Sequence, residues 1–318
     1  MEIKTISSKM KEQYGQKIYR LSLSSGCTCP NRDGTVGTGG CTFCSEGGSG
    51  DFAAQAQKEL CRSAEENLNR QIEEAKARVA GKLKGTESDR RYIAYFQSFT
   101  NTYARNAEEL AYLEALYSAA IRRPDIVVLD LATRPDCLGR EVMDMLARVG
   151  SCAPEKEIWI ELGLQTINER TAQAFRRGYA LPVFEQAYES LKREGYQVIA
   201  HVILGLPGES REDMLSTVRY LAGLSPRLDG IKLSLLHVLK GTELAAQYAQ
   251  NPFPIPEMED YCELVVDCLK CLPEDVVIHR MTGDGPKKLL IAPLWSGDKK
   301  RVLNCLNRKI REAERGSR

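Results

Sequence analysis

The segment CTCPNRDGTVGTGGCTFC, residues Cys27–Cys44, carries four cysteines in the pattern C-x-C-x11-C-x2-C. Five glycines lie in or beside it, and glycine tolerates the backbone dihedrals that a close wrap around an inorganic centre requires. Cysteine thiolates are the ligands that soft metal ions and iron–sulfur clusters select. The segment therefore predicts a metal centre that is held in a loop.

Two kinds of centre suit this spacing. A structural zinc ion would use all four sulfurs, although one residue separates Cys27 from Cys29 and roughly two to four usually separate paired zinc ligands. A [4Fe–4S] cluster on Cys29, Cys41 and Cys44 alone would keep one iron open for the amino and carboxylate groups of S-adenosylmethionine (SAM). An electron from such a cluster can split SAM into a 5′-deoxyadenosyl radical, which removes hydrogen from an unactivated carbon. The spacing leaves both alternatives open.

The other cysteines show no convincing ligand pattern, and we interpret them as buried thiols. They are Cys61, Cys137, Cys152, Cys262, Cys268, Cys271 and Cys305. Cys268 and Cys271 form a CxxC pair inside an apolar helical pattern, which leaves a second metal site open. The odd total of 11 cysteines argues against a closed disulfide framework.

Composition indicates a globular protein without a membrane segment. Hydrophobic residues make up 43% and charged residues 27% of the chain, which are ordinary values for a globular domain. The N-terminus lacks the apolar region of a signal peptide, and no window reaches the roughly 18 apolar residues of a membrane span. We therefore expect a cytoplasmic protein. The net charge of +1 identifies no partner, so any nucleic-acid site must be local.

Apolar runs alternate with helical patterns along most of the chain. The predicted strands are Lys17–Leu23, Tyr92–Phe96, Ile126–Leu131, Glu157–Leu162, Gln197–Leu204 and Gly230–Leu235. The predicted helices are Phe52–Ala80, Ala107–Arg122, Gly139–Val149, Asn168–Arg176, Pro182–Glu194 and Ser210–Leu224. This alternation is typical of parallel βαβ units. It predicts an α/β fold, a partial (β/α)6-type TIM barrel, with a doubly wound open sheet as the alternative. In both folds the chemistry lies at the carboxyl ends of the strands.

We expect three regions along the chain. Residues 1–16 form an N-terminal segment, residues 17–250 form the partial barrel, and residues 251–318 form a C-terminal α/β extension. The extension starts at the linker NPFPIP and contains a predicted helix over Met258–Leu272, a strand over Val276–His279 and a basic helix over Val302–Glu314. It is the candidate RNA-contacting region.

Segments near the ends of the predicted strands carry a family resemblance. They are YFQSFTNTYA (95–104), DLATRPDCL (130–138), IELGLQT (160–166), RRGY (176–179), HVILGLPGE (201–209), IKLSLLHVLKGT (231–242) and HRMTGDGPKKLLIAPLW (279–295). With the cysteine segment, they resemble radical SAM proteins of the YhcC/YtqA type, relatives of the catalytic subunit of the eukaryotic Elongator complex. The resemblance covers nearly the whole chain and extends to the MnmL type, which modifies the wobble uridine of tRNA. It implies a partial β/α barrel whose cofactors are one [4Fe–4S] cluster and SAM.

The resemblance also implies roles for individual residues. Cys29, Cys41 and Cys44 would ligate iron, whereas Cys27, which stands where an aromatic residue is expected, would not. The cofactor-binding candidates are Phe43 beside the adenine, Gln97, Thr100 and Asn101 for the methionine amino group, Arg177 for the methionine carboxylate, Arg134 and Asp136 for the ribose or the substrate, and Gln165 and His201 along the pocket. The catalytic candidates are Glu161, Gln165 and His201.

Some of these residues can also be interpreted from their surroundings in the sequence. Glu161 stands between Ile160 and Leu162, so strand alternation points its side chain into the barrel, where a buried carboxylate needs a partner. Three others have a structural alternative. Arg134 would order its own loop, Arg177 would be an exposed charge at a helix end, and His201 would be a hydrogen-bonded core histidine.

Two features indicate an RNA substrate. The related enzymes modify the wobble uridine of tRNA, which implies 5-aminomethyl-type uridine biosynthesis with the tRNA anticodon region as the partner. The extension also concentrates basic residues that suit phosphate contacts, namely Lys287, Lys288, Lys299, Lys300, Arg301, Arg308, Lys309 and Arg311. An unpaired anticodon base can enter a barrel at modest unstacking cost.

An electron donor such as flavodoxin or ferredoxin is expected as a second partner. Two alternatives to the tRNA-modifying enzyme stay open. One is a radical SAM enzyme that acts on a small molecule or a protein. The other is a zinc-stabilised RNA-binding module without catalysis.

Overall fold

The protein is built on a sheet of seven parallel strands that curls into a half-barrel, in the order β1-β2-β3-β4-β5-β6-β8. The computed structural model describes residues 3–48, 53–54, 63–82, 89–283 and 285–316. The strands are β1 Tyr19–Leu23, β2 Tyr92–Phe96, β3 Ile126–Thr133, β4 Glu157–Gln165, β5 Gln197–Leu204, β6 Gly230–Leu235, β7 Val238–Leu239, β8 Val277–Arg280 and β9 Leu290–Ala292. Strands β7 and β9 form a separate antiparallel pair. The predicted partial barrel is confirmed.

Helices follow most of the strands. In the described part of the chain they are α1 Ile6–Tyr14, α2 Ala64–Val79, α3 Ala107–Arg122, α4 Arg140–Ser151, α5 Glu169–Ala174, α6 Leu181–Arg193, α7 Arg211–Ala222, α8 Glu243–Gln250, α9 Met258–Cys271 and α10 Lys299–Gly316. Several begin at a side-chain cap. The Asn106 side chain accepts from the Glu109 backbone N–H at 2.9 Å, and Ser210 and Asp213 form a capping box. No helix among the described residues is long and apolar enough to cross a membrane.

Side chains alternate between the two faces of the sheet. On β2, Ala94 and Phe96 pack into the main hydrophobic core between the sheet and its helices, whereas Ile93 and Tyr95 line the inside of the half-barrel. The other parallel strands follow the same alternation, because successive side chains of a strand point to opposite faces. The sheet therefore has an apolar outer face and an inner face on which polar residues can meet.

The N-terminal segment forms a helix, α1, under the half-barrel. The Thr5 side chain caps it by accepting from the Ser8 backbone N–H at 3.1 Å. Met10 is buried in the inner apolar cluster with Ile93 and Trp159, which lie near the amino ends of their strands. Helix α1 thus covers the amino end of the half-barrel, so a ligand approaches from the carboxyl end.

One predicted helix is wrong over its first part. The pattern predicted a single helix over Phe52–Ala80, but residues 53–54 are not helical and α2 begins only at Ala64. The Ser63 side chain caps this helix by accepting a backbone N–H, which gives it a defined start. Residues 55–62, including Cys61, lie outside the described residues.

The C-terminal extension contributes to the half-barrel itself. Its predicted strand over Val276–His279 is present as β8, which pairs in parallel with β6. Helix α8 was not predicted; it lies between β7 and the linker. The seventh strand of the sheet therefore comes from the region expected only to pack on the barrel.

Removal of the Met10 side chain tests the contribution of α1. We expect Met10→Ala to lower the free energy of unfolding by about 2–4 kcal/mol, because it leaves a cavity in the inner cluster. Urea unfolding followed by circular dichroism measures the change. Lys11→Ala is the matched control on the exposed face of the same helix, and equal losses for the two variants would contradict the burial of α1.

Candidate active site

The cysteine loop follows β1 at the carboxyl end of the half-barrel. The side-chain amide of Asn31 donates to the Arg176 carbonyl and lies 3.6 Å from Cys41 Sγ. The guanidinium of Arg32 lies over the ring of Phe99, 5.1 Å from its centroid. These contacts fix the loop to the end of β2 on one side and to the segment between α5 and α6 on the other.

The thiols of Cys29, Cys41 and Cys44 are free and lie within electrostatic reach of one another. A hydrogen bond from the Cys44 thiol, together with the Arg134 guanidinium, lowers the pKa of Cys41 to about 7. The same hydrogen bond and burial raise the pKa of Cys44. A lowered pKa favours the thiolate, which is the metal-binding form of cysteine.

Cys27 is the fourth cysteine of the loop. Its side chain packs against the main hydrophobic core, and its backbone N–H donates to Ser25 Oγ at 3.3 Å. Among the described residues, no three His, Cys, Asp or Glu side chains are arranged to hold a single metal ion. A zinc ion on all four cysteines would have to include Cys27, whose side chain packs against the hydrophobic core. Three thiols on one loop fit a larger iron–sulfur cluster that keeps one iron open.

The end of β2 places Gln97, Thr100 and Asn101 together, all of them buried. Both N–H groups of the Asn101 amide are in use, because they donate to one carbonyl of β2 and one of β3, each at 2.8 Å. Asn101 therefore holds the two strand ends together. Ser98, which the sequence did not single out, has a buried hydroxyl without a hydrogen-bond partner among the described atoms. A bound ligand would satisfy such a group.

Arg177 is buried, and its guanidinium binds backbone carbonyl groups. Its guanidinium donates to the carbonyls of Leu164, Thr166 and Tyr179 and to the carboxylate of Glu169. These bonds connect the end of β4 to α5 and α6. The alternative of an exposed charge at a helix end is wrong, because only 1% of the residue is exposed. Little of the guanidinium is left to bind a methionine carboxylate.

Arg134 and Asp136 form a pair beside the cysteines. The guanidinium of Arg134 donates to both carboxylate oxygens of Asp136, at 2.9 and 2.6 Å, and to the Arg177 carbonyl at 2.8 Å. Its charge also favours the thiolate of Cys41. Arg134 therefore orders its loop and at the same time places positive charge next to the predicted ligands.

Gln165 and Phe43 lie at the same end of the half-barrel. Strand β4 ends in a register shift between Gly163 and Gln165, and Gln165 has a φ of 65°. A Cβ atom at Gly163 would lie 2.6 Å from Gln165 Nε2, so a larger residue there would displace the Gln165 amide. The ring of Phe43 lies 5.2 Å from that of Phe175, in an apolar cluster above β5 and β6.

Charged and polar side chains fill the middle of the half-barrel. Glu161 is fully buried, and its carboxylate accepts from Arg20 at 3.2 Å, from His201 Nε2 at 2.8 Å and from the ammonium of Lys232. We call these residues, together with those that Arg20 and Lys232 contact, the charged layer. Its members are Arg20, Tyr95, Asp130, Glu161, His201, Lys232 and His279.

Two members of the charged layer extend it across the sheet. Arg20 also donates to Asp130 at 3.1 Å and to His279 Nδ1 at 2.7 Å. Lys232 also donates to the hydroxyl of Tyr95 at 3.0 Å. The layer thereby connects β1, β2, β3, β4, β5, β6 and β8 through side chains alone.

Burial and neighbouring charges set the protonation of the charged layer. Burial alone would raise the pKa of Glu161, but Lys232, His201 and Arg20 hold it well below its usual range. Burial lowers the pKa of Lys232 to about 7, and burial with the nearby Glu161 raises that of Asp130 to about 8. Burial also lowers the pKa of His201. Near neutral pH, Glu161 is therefore ionised and His201 is neutral.

Three charged residues of this layer were missed at the sequence level. Arg20, Asp130 and Lys232 each stand as a single charged residue between apolar neighbours within a strand. The same signal had singled out Glu161. Applied to every strand, it would have found them.

Comparison with known proteins decides the family. The model described as Radical SAM superfamily matches residues 28–221, and the model described as Radical_SAM C-terminal domain matches residues 228–312. The chain belongs to the radical SAM superfamily. Protein YtqA of Bacillus subtilis is 39% identical over 306 residues, which cover 96% of this chain and 88% of YtqA. Protein YhcC of Escherichia coli is 34% identical over 303 residues, or 95% of this chain and 90% of YhcC. The YhcC/YtqA type is confirmed.

More distant radical SAM relatives share part of the chain. Elongator complex protein 3 of Homo sapiens is 27% identical over 54% of this chain and 30% of its own length. Among solved structures, the archaeal Elp3 of Methanocaldococcus infernus, lacking residues 1–46, matches with a TM-score of 0.61 at 20% identity. The match covers 78% of this chain and 59% of the archaeal chain, and it shows a shared fold.

The cofactors of this radical SAM enzyme are a [4Fe–4S] cluster and SAM. When bound, they supply a 5′-deoxyadenosyl radical. Cys29, Cys41 and Cys44 would hold the cluster, and Arg134 offsets part of the negative charge of their thiolates. Ser98 and Gln97 would meet a ligand at the end of β2.

Serine substitutions test the ligand set. We expect Cys29→Ser, Cys41→Ser and Cys44→Ser each to lose the cluster, because each removes one thiolate. Cys27→Ser is the matched control and should keep it. Iron and sulfide analysis after anaerobic reconstitution measures the outcome. A cluster lost in Cys27→Ser and kept in one of the other three would overturn the assignment.

Proposed function

We propose that this enzyme modifies the wobble uridine of tRNA, as a step of 5-aminomethyl-type uridine biosynthesis. The resemblance to wobble-uridine-modifying enzymes motivates the proposal. The observation that carries it is a group of exposed lysines beside the cysteine loop. We call Lys240, Lys287 and Lys288 the lysine rim. None of them makes an ion pair or a side-chain hydrogen bond with another described residue.

The lysine rim lies at the carboxyl end of the half-barrel. The Lys240 backbone N–H donates to the Leu289 carbonyl at 2.7 Å, which brings Lys240 next to Lys287 and Lys288. Lys240 directly follows β7, and Lys287 and Lys288 precede β9. Val238 of β7 and Ala292 of β9 share an apolar cluster with Cys41 and Phe43. Unpaired ammonium groups near the entrance suit the phosphates of an anticodon loop whose unpaired base enters the half-barrel.

The basic helix α10 is a weaker candidate for phosphate contact. Arg308 donates to both carboxylate oxygens of Glu259, and Lys309 donates to Glu263 at 2.6 Å, so α9 neutralises both cations. Lys299, Lys300, Arg301 and Arg311 are exposed. We therefore assign the first RNA contacts to the lysine rim. The exposed basic residues at the start of α10 would enlarge this contact surface. The electron for the cluster would come from a flavodoxin or ferredoxin.

Nucleoside mass spectrometry of tRNA tests the proposed function. In a strain that lacks the gene, we expect the precursor of one 5-substituted wobble uridine to accumulate and its product to disappear. The purified enzyme, with cluster, SAM and a reductant, should convert that precursor tRNA. Unchanged wobble uridines in the strain and in the assay would exclude tRNA and favour a small molecule or a protein as the substrate.

The lysine rim makes a separate prediction about affinity. We expect the double variant Lys287→Gln/Lys288→Gln to bind tRNA about tenfold more weakly, since each lysine would contact a phosphate. The salt dependence of its binding should correspond to roughly one to two fewer released counterions. Lys11→Gln/Lys17→Gln is the matched control at the amino end of the half-barrel. Binding measured by fluorescence anisotropy at several salt concentrations separates them, and equal effects would remove the rim from the interface.

A further inference from the structure

His201 is the most exposed of the three side chains that bind Glu161. Its side chain is 27% exposed, whereas those of Glu161 and Lys232 are 0% and 1% exposed. His201 lies on β5, opposite Gly163 of β4 and Lys232 of β6. Gly163 has no side chain of its own, and the amide of Gln165 lies over it, since a Cβ atom at Gly163 would be 2.6 Å from Gln165 Nε2.

The hydrogen bond to Glu161 fixes which nitrogen of His201 carries the proton. The Glu161 carboxylate is ionised and can only accept, so His201 Nε2 must donate to it at 2.8 Å. Burial keeps the imidazole neutral near pH 7. A neutral imidazole that is protonated at Nε2 carries a lone pair at Nδ1. His201 thus keeps a basic nitrogen, Nδ1, that Glu161 does not bind.

The rest of the charged layer holds Glu161 in this role. Lys232 and Arg20 bind its two oxygens from β6 and β1, which fixes the carboxylate in position and keeps it ionised. Arg280, at the end of β8, adds positive charge that disfavours a second proton on His201. Charges from β4, β6 and β8 thus act on the same imidazole.

We propose that His201 is the proton acceptor for the substrate group that enters the half-barrel, and that Glu161 and Lys232 are its positioning residues. A proton leaves an N–H or O–H of the substrate for Nδ1, and the bonding electron pair stays on the substrate. Glu161 stabilises the imidazolium that forms, and the proton returns to water when the product leaves. No electron is transferred in this step. That the substrate is a nucleobase rests on the proposed function; the role of His201 does not.

The tautomer can be measured without any substrate. The chain has three histidines, so nitrogen-15 labelling of histidine in the holoenzyme gives few signals, which His→Gln variants assign. We expect His201 to be neutral at pH 7 with its proton on Nε2. A proton on Nδ1, or an even mixture of the two tautomers, would overturn the proposal.

Two variants should move the pKa of His201 in opposite directions. Glu161→Gln removes the charge that raises this pKa, so the pKa falls. Lys232→Met removes a charge that lowers it, so the pKa rises. Glu274→Gln, an exposed carboxylate outside the half-barrel, is the control for a loss of one charge and should leave it unchanged. Shifts of the same sign in the two variants would contradict the arrangement.

Enzyme kinetics tests whether His201 acts as a base during turnover. We expect His201→Gln to lower kcat about a hundredfold or more, which is a typical loss for a general base. The acid limb of kcat/KM should move to lower pH in Glu161→Gln and to higher pH in Lys232→Met. An acid limb that stays in place in both variants would overturn the proposal. If the wild-type enzyme leaves tRNA unchanged, that result contradicts only the proposed function. The tautomer and the pKa of His201 are measured without substrate and do not depend on it.

Discussion

The carboxylate of Glu161 is the interaction on which the interior of this enzyme depends. It is fully buried, and Arg20, His201 and Lys232 satisfy it from three other strands. A buried ion that loses a partner costs several kcal/mol, so each of these contacts restricts the positions of the strands that carry it. The half-barrel is therefore held from inside by charge as well as from outside by its helices.

The charged layer has different neighbours at the two ends of the half-barrel. At the amino end, Met10 and Trp159 cover the charged layer with apolar side chains and keep water away. At the carboxyl end, the cysteine loop brings thiols and a guanidinium together, and the end of β2 adds the Ser98 hydroxyl, which has no hydrogen-bond partner among the described residues. The charged layer lies between them. The chemistry of the radical and the chemistry of protons can thus be placed at different depths of the half-barrel.

Much of the fold follows from local sequence patterns. The strands Tyr92–Phe96, Gln197–Leu204 and Gly230–Leu235 have the predicted bounds, because their apolar runs end at turn residues. Helix α1 was missed because it is short and has only three apolar residues, Ile6, Met10 and Tyr14, all of which pack against the inner cluster of the half-barrel. The roles of Arg177 and Asn101 were equally out of reach. Their partners are backbone carbonyls of distant strands, which no sequence pattern reveals.

The position of β8 affects how the protein is made. Strand β6 is finished at Leu235, but its second edge stays unpaired until Val277–Arg280 has been synthesised. At about 5–20 residues per second, the roughly 40 intervening residues take several seconds on the ribosome. During that time the nascent chain exposes a strand edge that other chains can pair with. The order of the strands thus leaves one edge of β6 open to pairing with other chains while residues 236–280 are being made.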